Sequence, residues 1–150
     1  MLLPGKRNYI LLSIFDFLYL FAWSATMAFF VIWTTQHLEI TATRTGLLYS
    51  VNAFIALLMQ PFFGFISDKF GLKKQLIWLL VALLLPVGPF FIYVYAPLLV
   101  HNFWLGAVLG GVYLGIIFNS GCGVLDSWID KVSRRYHFEY GRVRMWGSLG

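Results

Sequence analysis

A short charged stretch, Gly64-Phe65-Ile66-Ser67-Asp68-Lys69-Phe70-Gly71-Leu72-Lys73-Lys74, separates two long apolar runs. A segment that cannot enter hydrocarbon, set between two that can, is predicted to be a short turn at one membrane face. Gly71 has no Cβ and permits a sharp reversal there. Short loops rich in Lys and Arg stay cytoplasmic, so Lys69, Lys73 and Lys74 place this turn inside. The composition agrees: 60% of the chain is hydrophobic, 11% is charged, and the mean hydropathy is +0.78. Soluble domains carry about 25% charged residues. The chain therefore reads as an all-α integral membrane protein.

Apolar runs predict four complete transmembrane helices, at about 9–33, 45–66, 76–95 and 103–128, and the start of a fifth at 142–150. The first run is too long for a secretory signal core and reads as a retained helix. Pro86, Gly88 and Pro89 predict a kink in the third span, where neighbouring helices can satisfy the freed carbonyls. Pro97–Asn102 is expected as an uncharged outer turn, with Tyr93, Tyr95 and Trp104 as interfacial anchors. In this arrangement Lys6, Arg7, Lys69, Lys73, Lys74, Lys131, Arg134, Arg135 and Arg142 fall inside, and Arg44 outside. The N-terminus is then cytoplasmic. Topology thus explains the net charge of +5 without nucleic acid, since the bases sit in short links rather than on one polar face. Four spans and part of a fifth do not close a bundle around a pathway, so the chain reads as the incomplete N-terminal six-helix half of a longer transporter. A small four-helix membrane protein is the alternative.

The single cysteine, Cys122, excludes an internal disulfide and a cysteine-based metal cluster. No nucleophile constellation, metal cluster or phosphate loop is visible, so neither an enzyme nor a cofactor is expected. His37, His101 and His137 fall in predicted loops and read as solvated.

Three charges lie where charge is expensive: Asp16, Asp126 and Arg144. Each costs about 2.5–3.5 kcal/mol at a bilayer centre on insertion scales and needs a partner or a purpose. Asp126 on the fourth span and Arg144 on the fifth are joined by a cytoplasmic link, so their helices are antiparallel neighbours. The pair is either a polar site or a structural staple. Asn119, Cys122 and Asp126 share a helix face, which Gly111 and Gly115 extend; Gly106 and Gly110 form a second small pair. A carboxylate accepting from two hydroxyls and a planar guanidinium donating to others would hold a polyol in one orientation. Trp23 or Trp146 offers a ring for the apolar face of a pyranose. Asp16 reads as functional or paired, without assignment.

The pattern Gly64-x-x-x-Asp68-Lys69-x-Gly71-x-Lys73-Lys74 resembles the signature loop between the second and third helices of the major facilitator superfamily. Pro89–Tyr95, Lys131–Arg135 and Phe138–Met145 narrow the resemblance to the oligosaccharide:proton symporter family. Leu48–Asn52, Gly121–Gly123 and His137–Gly141 look most like its sucrose branch. The resemblance implies a 12-helix fold of the bacterial cytoplasmic membrane, working as a monomer by alternating access and importing a disaccharide with a proton. It implies that Asp126 and Arg144 bind the sugar, with Asn119, Cys122 and Trp23 as further candidates. Gly64, Asp68, Lys69, Gly71, Lys73 and Lys74 would form a cytoplasmic gate motif. The family's proton-handling histidine and acids belong to its second half. Asp16 departs from the aromatic or polar residue expected at its position. Lactose, melibiose or raffinose symport is the alternative, as is a facilitator exporter of another substrate class.

Overall fold

The computed structural model describes residues 4–70 and 75–150, and no strand occurs among them. Helix α1 (Pro4–Ile32) runs into a π-helical turn, Trp33–His37. Thr34 and Thr35 sit in this wider turn and donate back to the carbonyls of Phe30 and Val31. Such local hydroxyl bonds compete with the regular helix ladder. Helix α2 (Ala42–Phe70) follows, with Pro61 inside it.

Helix α3 (Gln75–Leu84) stops before Pro86, which has no amide hydrogen to give the ladder. The chain resumes as α4 (Val87–Phe90), a π-helical turn (Phe91–Tyr95) and α5 (Ala96–His101). The two arms meet at 48°. Tyr113 donates its hydroxyl to the carbonyl of Leu83 at 2.8 Å, in the last turn before the break. A neighbouring helix thus supplies a donor where the proline interrupts the ladder. Helix α6 (Phe103–Leu114) begins at Asn102, whose side chain accepts from the amide of Leu105. A π-helical turn (Gly115–Ser120), α7 (Gly121–Tyr136) and α8 (Tyr140–Gly147) complete the order.

Among the described residues, Gly5–His37, Ala42–Phe62 and Phe103–Tyr136 are each long and apolar enough to cross a membrane. The bent pair Ile77–Leu84 and Val87–His101 makes a fourth candidate if it is one span. Two boundaries differ from the sequence expectation. Pro97 stands in the first turn of a helix, where its missing amide costs nothing, so Pro97–His101 is helical rather than an outer turn. Gly64–Phe70 continues α2 instead of starting the charged turn. Lys69 there is exposed, while Gly71, Lys73 and Lys74 lie outside the described residues.

The chain divides into two compact units, Met1–Phe29 with Leu125–Gly150, and Phe30–Val124. In the second, the two glycine pairs of α6 and the π-helical turn after it serve different neighbours. A Cβ on Gly111 would lie 2.7 Å from Ile55 of α2, and one on Gly115 would meet the backbone of Ala56 at 3.7 Å. A Cβ on Gly106 would lie 2.9 Å from the amide nitrogen of Leu99, and Gly110 receives the ring of Tyr95. Small residues let helices approach where apolar burial gives no net drive. Around Tyr95, which is fully buried, Phe30, Trp33, Phe90 and Phe91 stack or meet edge to face at centroid separations of 5.4–6.1 Å.

Gly106 abuts backbone, which cannot swing aside as a side-chain tip can. Gly106→Ala is therefore expected to destabilise the protein in detergent by about 1–3 kcal/mol. Gly46, with nothing within 4 Å of an added Cβ, is the control. Gly46→Ala should leave the unfolding midpoint unchanged or raise it slightly. Thermal unfolding of both variants checks the contrast.

Candidate functional site

The first unit is assembled around the end of α7. That helix closes in the left-handed conformation at His137 (φ 56°), and the amide of Phe138 donates to the carbonyl of Ser133 at 3.1 Å. This is the Schellman arrangement, which satisfies an orphan carbonyl and turns the chain sharply. Glu139 is extended, and α8 starts at once. Three contacts tie α1 to this corner. The ring of Tyr9 meets that of Phe138 edge to face at 6.1 Å, and Trp146 donates to the Tyr9 hydroxyl at 3.0 Å. Gly5 lies against the carbonyl of Tyr136.

Between these helices Asp16, Asp126 and Arg144 meet. Arg144 Nε lies 3.4 Å from Asp126 Oδ1, and Arg144 Nη1 lies 3.7 Å from Asp16 Oδ1. One guanidinium thus faces two carboxylates. Their environments differ: the Asp16 side chain is 1% exposed, whereas those of Arg144 and Asp126 are 32% and 29% exposed. Gly147 makes the approach possible. A Cβ there would lie 2.7 Å from Asp16 Cγ and 2.8 Å from Leu20. Tyr140, at the first position of α8, adds a phenol that hydrogen-bonds Asp126. Burial first, then the Asp126 charge, raises its ionisation above the usual tyrosine range, so at neutral pH it is a donor.

A family model described as LacY proton/sugar symporter matches residues 2–150. The chain belongs to that family. It is similar to a sucrose permease of Escherichia coli, 47% identical over 138 residues, which cover 92% of this chain and 33% of that protein. A melibiose permease of Enterobacter cloacae is 44% identical over 143 residues, or 95% and 34% of the two chains. A lactose permease of Klebsiella oxytoca is 46% identical over 127 residues, or 85% and 30%. The chain spans about one third of the length of these relatives. They are permeases, which are transporters and not enzymes. Together with the long apolar helices, membership of the LacY family makes this a multi-pass membrane protein.

Within this LacY-family chain, the structure brings Asp126 and Arg144 together as the sequence predicts, and adds Asp16 to them. Trp23 is half-buried on α1, seven residues beyond Asp16 and so on the same helical face. Cys122 is half-buried on α7, four residues before Asp126. Asn119, also half-buried, stands in the π-helical turn Gly115–Ser120. Trp146, bonded to Tyr9, borders an open cleft of about 550 Å³ with Ile10, Ser13, Ile14, Phe17 and Leu18. Arg134–Asp130 and Arg142–Glu139 are exposed pairs within one turn of chain and contribute little.

Sequence reasoning did not assign Asp16, although its charge inside an apolar run was signal enough to single it out. It missed Tyr140 and Gly147. Tyr140 sits beside a basic link where aromatics are ordinary, and Gly147 shows its purpose only against Asp16.

Tyr140→Phe removes a donor to Asp126 without changing shape. We expect it to destabilise the protein by about 1–2 kcal/mol, measured as a lowered unfolding midpoint in detergent. An unchanged midpoint would mean that the phenol does not support the carboxylate.

Proposed function

We propose that the chain is the N-terminal part of a proton-coupled sugar symporter that imports sucrose or a related oligosaccharide across the bacterial cytoplasmic membrane. Asp126 and Arg144 are its sugar contacts. One observation carries this: an acid and a guanidinium on adjoining helices lie within 3.4 Å, each still about one third exposed. Both retain surface that a ligand can reach. The carboxylate accepts from sugar hydroxyls, and the fork of the guanidinium donates to others in a fixed plane. The sucrose, melibiose and lactose permeases to which the chain is similar support the substrate class. Sucrose is preferred because that permease shares 47% identity and the local stretches at 48–52, 121–123 and 137–141 resemble its branch.

Trp23, Asn119 and Cys122 line the sugar path in this reading. In the same reading, the basic links put the N-terminus and the Gly64–Lys74 stretch, with its Gly64, Asp68, Lys69, Gly71, Lys73 and Lys74 gate motif, on the cytoplasmic side. The complete protein is a monomer of two six-helix halves that rock around the midplane site. A proton entering with the sugar contributes about 2.3 kcal/mol per 100 mV of membrane potential.

Asp126→Ala and Arg144→Ala in the full-length protein are each expected to weaken sucrose binding more than 100-fold by calorimetry. A structural staple behaves differently: replacing both partners by apolar residues would then preserve transport. Transport by the double apolar variant would overturn the assignment.

A further inference from the structure

Asp16 has no part in the sugar contacts proposed above, yet it is the most enclosed charge in the cluster. Its residue exposure is 0%, and neither carboxylate oxygen has a hydrogen-bond partner among the described residues. The nearest cation, Arg144 Nη1, stands at 3.7 Å, beyond hydrogen-bond reach. Gly147 and Leu20 wall the group in. The titratable groups that act on it are Arg144 from α8 and Asp126 from α7, with Tyr140 of α8 bonded to Asp126. The buried Ser13 hydroxyl, one turn earlier on α1, also lacks a partner and bears no charge.

This is an unbalanced set. One guanidinium can offset one carboxylate, and two are present. An ionised carboxylate out of water requires several donors, and the one that approaches Asp16 among the described residues is Arg144, at 3.7 Å. A neutral carboxyl requires far less. Asp126 has Arg144 closer, at 3.4 Å, and the Tyr140 phenol beside it.

We propose that Asp16 is a proton-binding site, and that the proton it takes from the aqueous side releases Arg144 to Asp126 and the sugar. The step is COO⁻ plus H⁺ to COOH, with no other bond changed. With Asp16 neutral, Arg144 no longer faces a second anion and can turn its fork toward sugar hydroxyls. With Asp16 ionised, a second anion draws the guanidinium away from Asp126. Linkage is reciprocal: sugar bound to Arg144 raises the proton occupancy of Asp16 by the same factor. The second half of the proposal rests on the sugar reading; the proton site itself does not.

The test uses the full-length permease reconstituted in lipid bilayers and has two arms. Infrared titration without sugar should show a protonated-carboxyl band that fades as pH rises. Asp16→Glu keeps the charge count and should shift that band, Asp126→Glu should leave it in place, and Asp16→Asn should remove it. A band moved by Asp126→Glu instead, or no titrating band, would overturn the proton site. Asp16→Asn alone decides the same point if Asp16→Glu does not fold. In the second arm, the sucrose Kd of the wild type should rise about tenfold per pH unit above the band's midpoint, because the binding-competent fraction falls by that factor. In Asp16→Asn it should stay within about twofold from pH 6 to 9. An undiminished slope in Asp16→Asn would overturn the coupling. Failure of sucrose to bind at any pH, with the band behaving as expected, would sink the sugar reading and leave the proton site standing.

Discussion

Arg144 stands between two carboxylates, and the rest of its unit is arranged to keep it there. Asp16 can be reached only because Gly147 carries no side chain. Asp126 is held by the phenol of Tyr140, which in turn is placed by the sharp closure of α7 at His137. The contacts of Tyr9 with Phe138 and Trp146 fix α1 against the same corner. A charged group in an apolar surrounding is stable only with such support, so packing and electrostatics here are one problem.

The Phe30–Val124 unit solves a different problem. Hydrocarbon gives its apolar helices little reason to associate, so contact depends on shape. The glycines of α6 and of the π-helical turn after it serve α5, Tyr95 and α2 on separate sides. The break at Pro86 bends the third candidate span by 48° and is bridged by the Tyr113 hydroxyl. Wider π-helical turns recur at Trp33–His37, Phe91–Tyr95 and Gly115–Ser120.

Much of this was legible in the sequence, because hydropathy and isolated charge are local signals. The apolar runs, the bend near Pro86 and the meeting of Asp126 with Arg144 all follow from residue type and order. Family membership followed from short motifs of fixed spacing. Helix ends were less legible: Pro97 signals a turn in isolation, and only the helix preceding it makes it a first-turn residue. The charged Gly64–Lys74 stretch looked like a turn throughout, yet its first part, Gly64–Phe70, continues α2. The π-helical turn Gly115–Ser120 was also not legible, since the sequence does not announce such a turn. The partnership of Asp16 was illegible because it depends on an approach between helices more than a hundred residues apart in the chain.

The central claim is that Arg144 acts through the planar fork of its guanidinium and not merely through its charge. Arg144→Lys keeps the charge and removes the fork. Calorimetric titration of sucrose into the purified full-length protein carrying this change tests the claim directly. Binding weakened by tenfold or more, with the protein still folded, is the predicted result; an affinity equal to the wild type would contradict it.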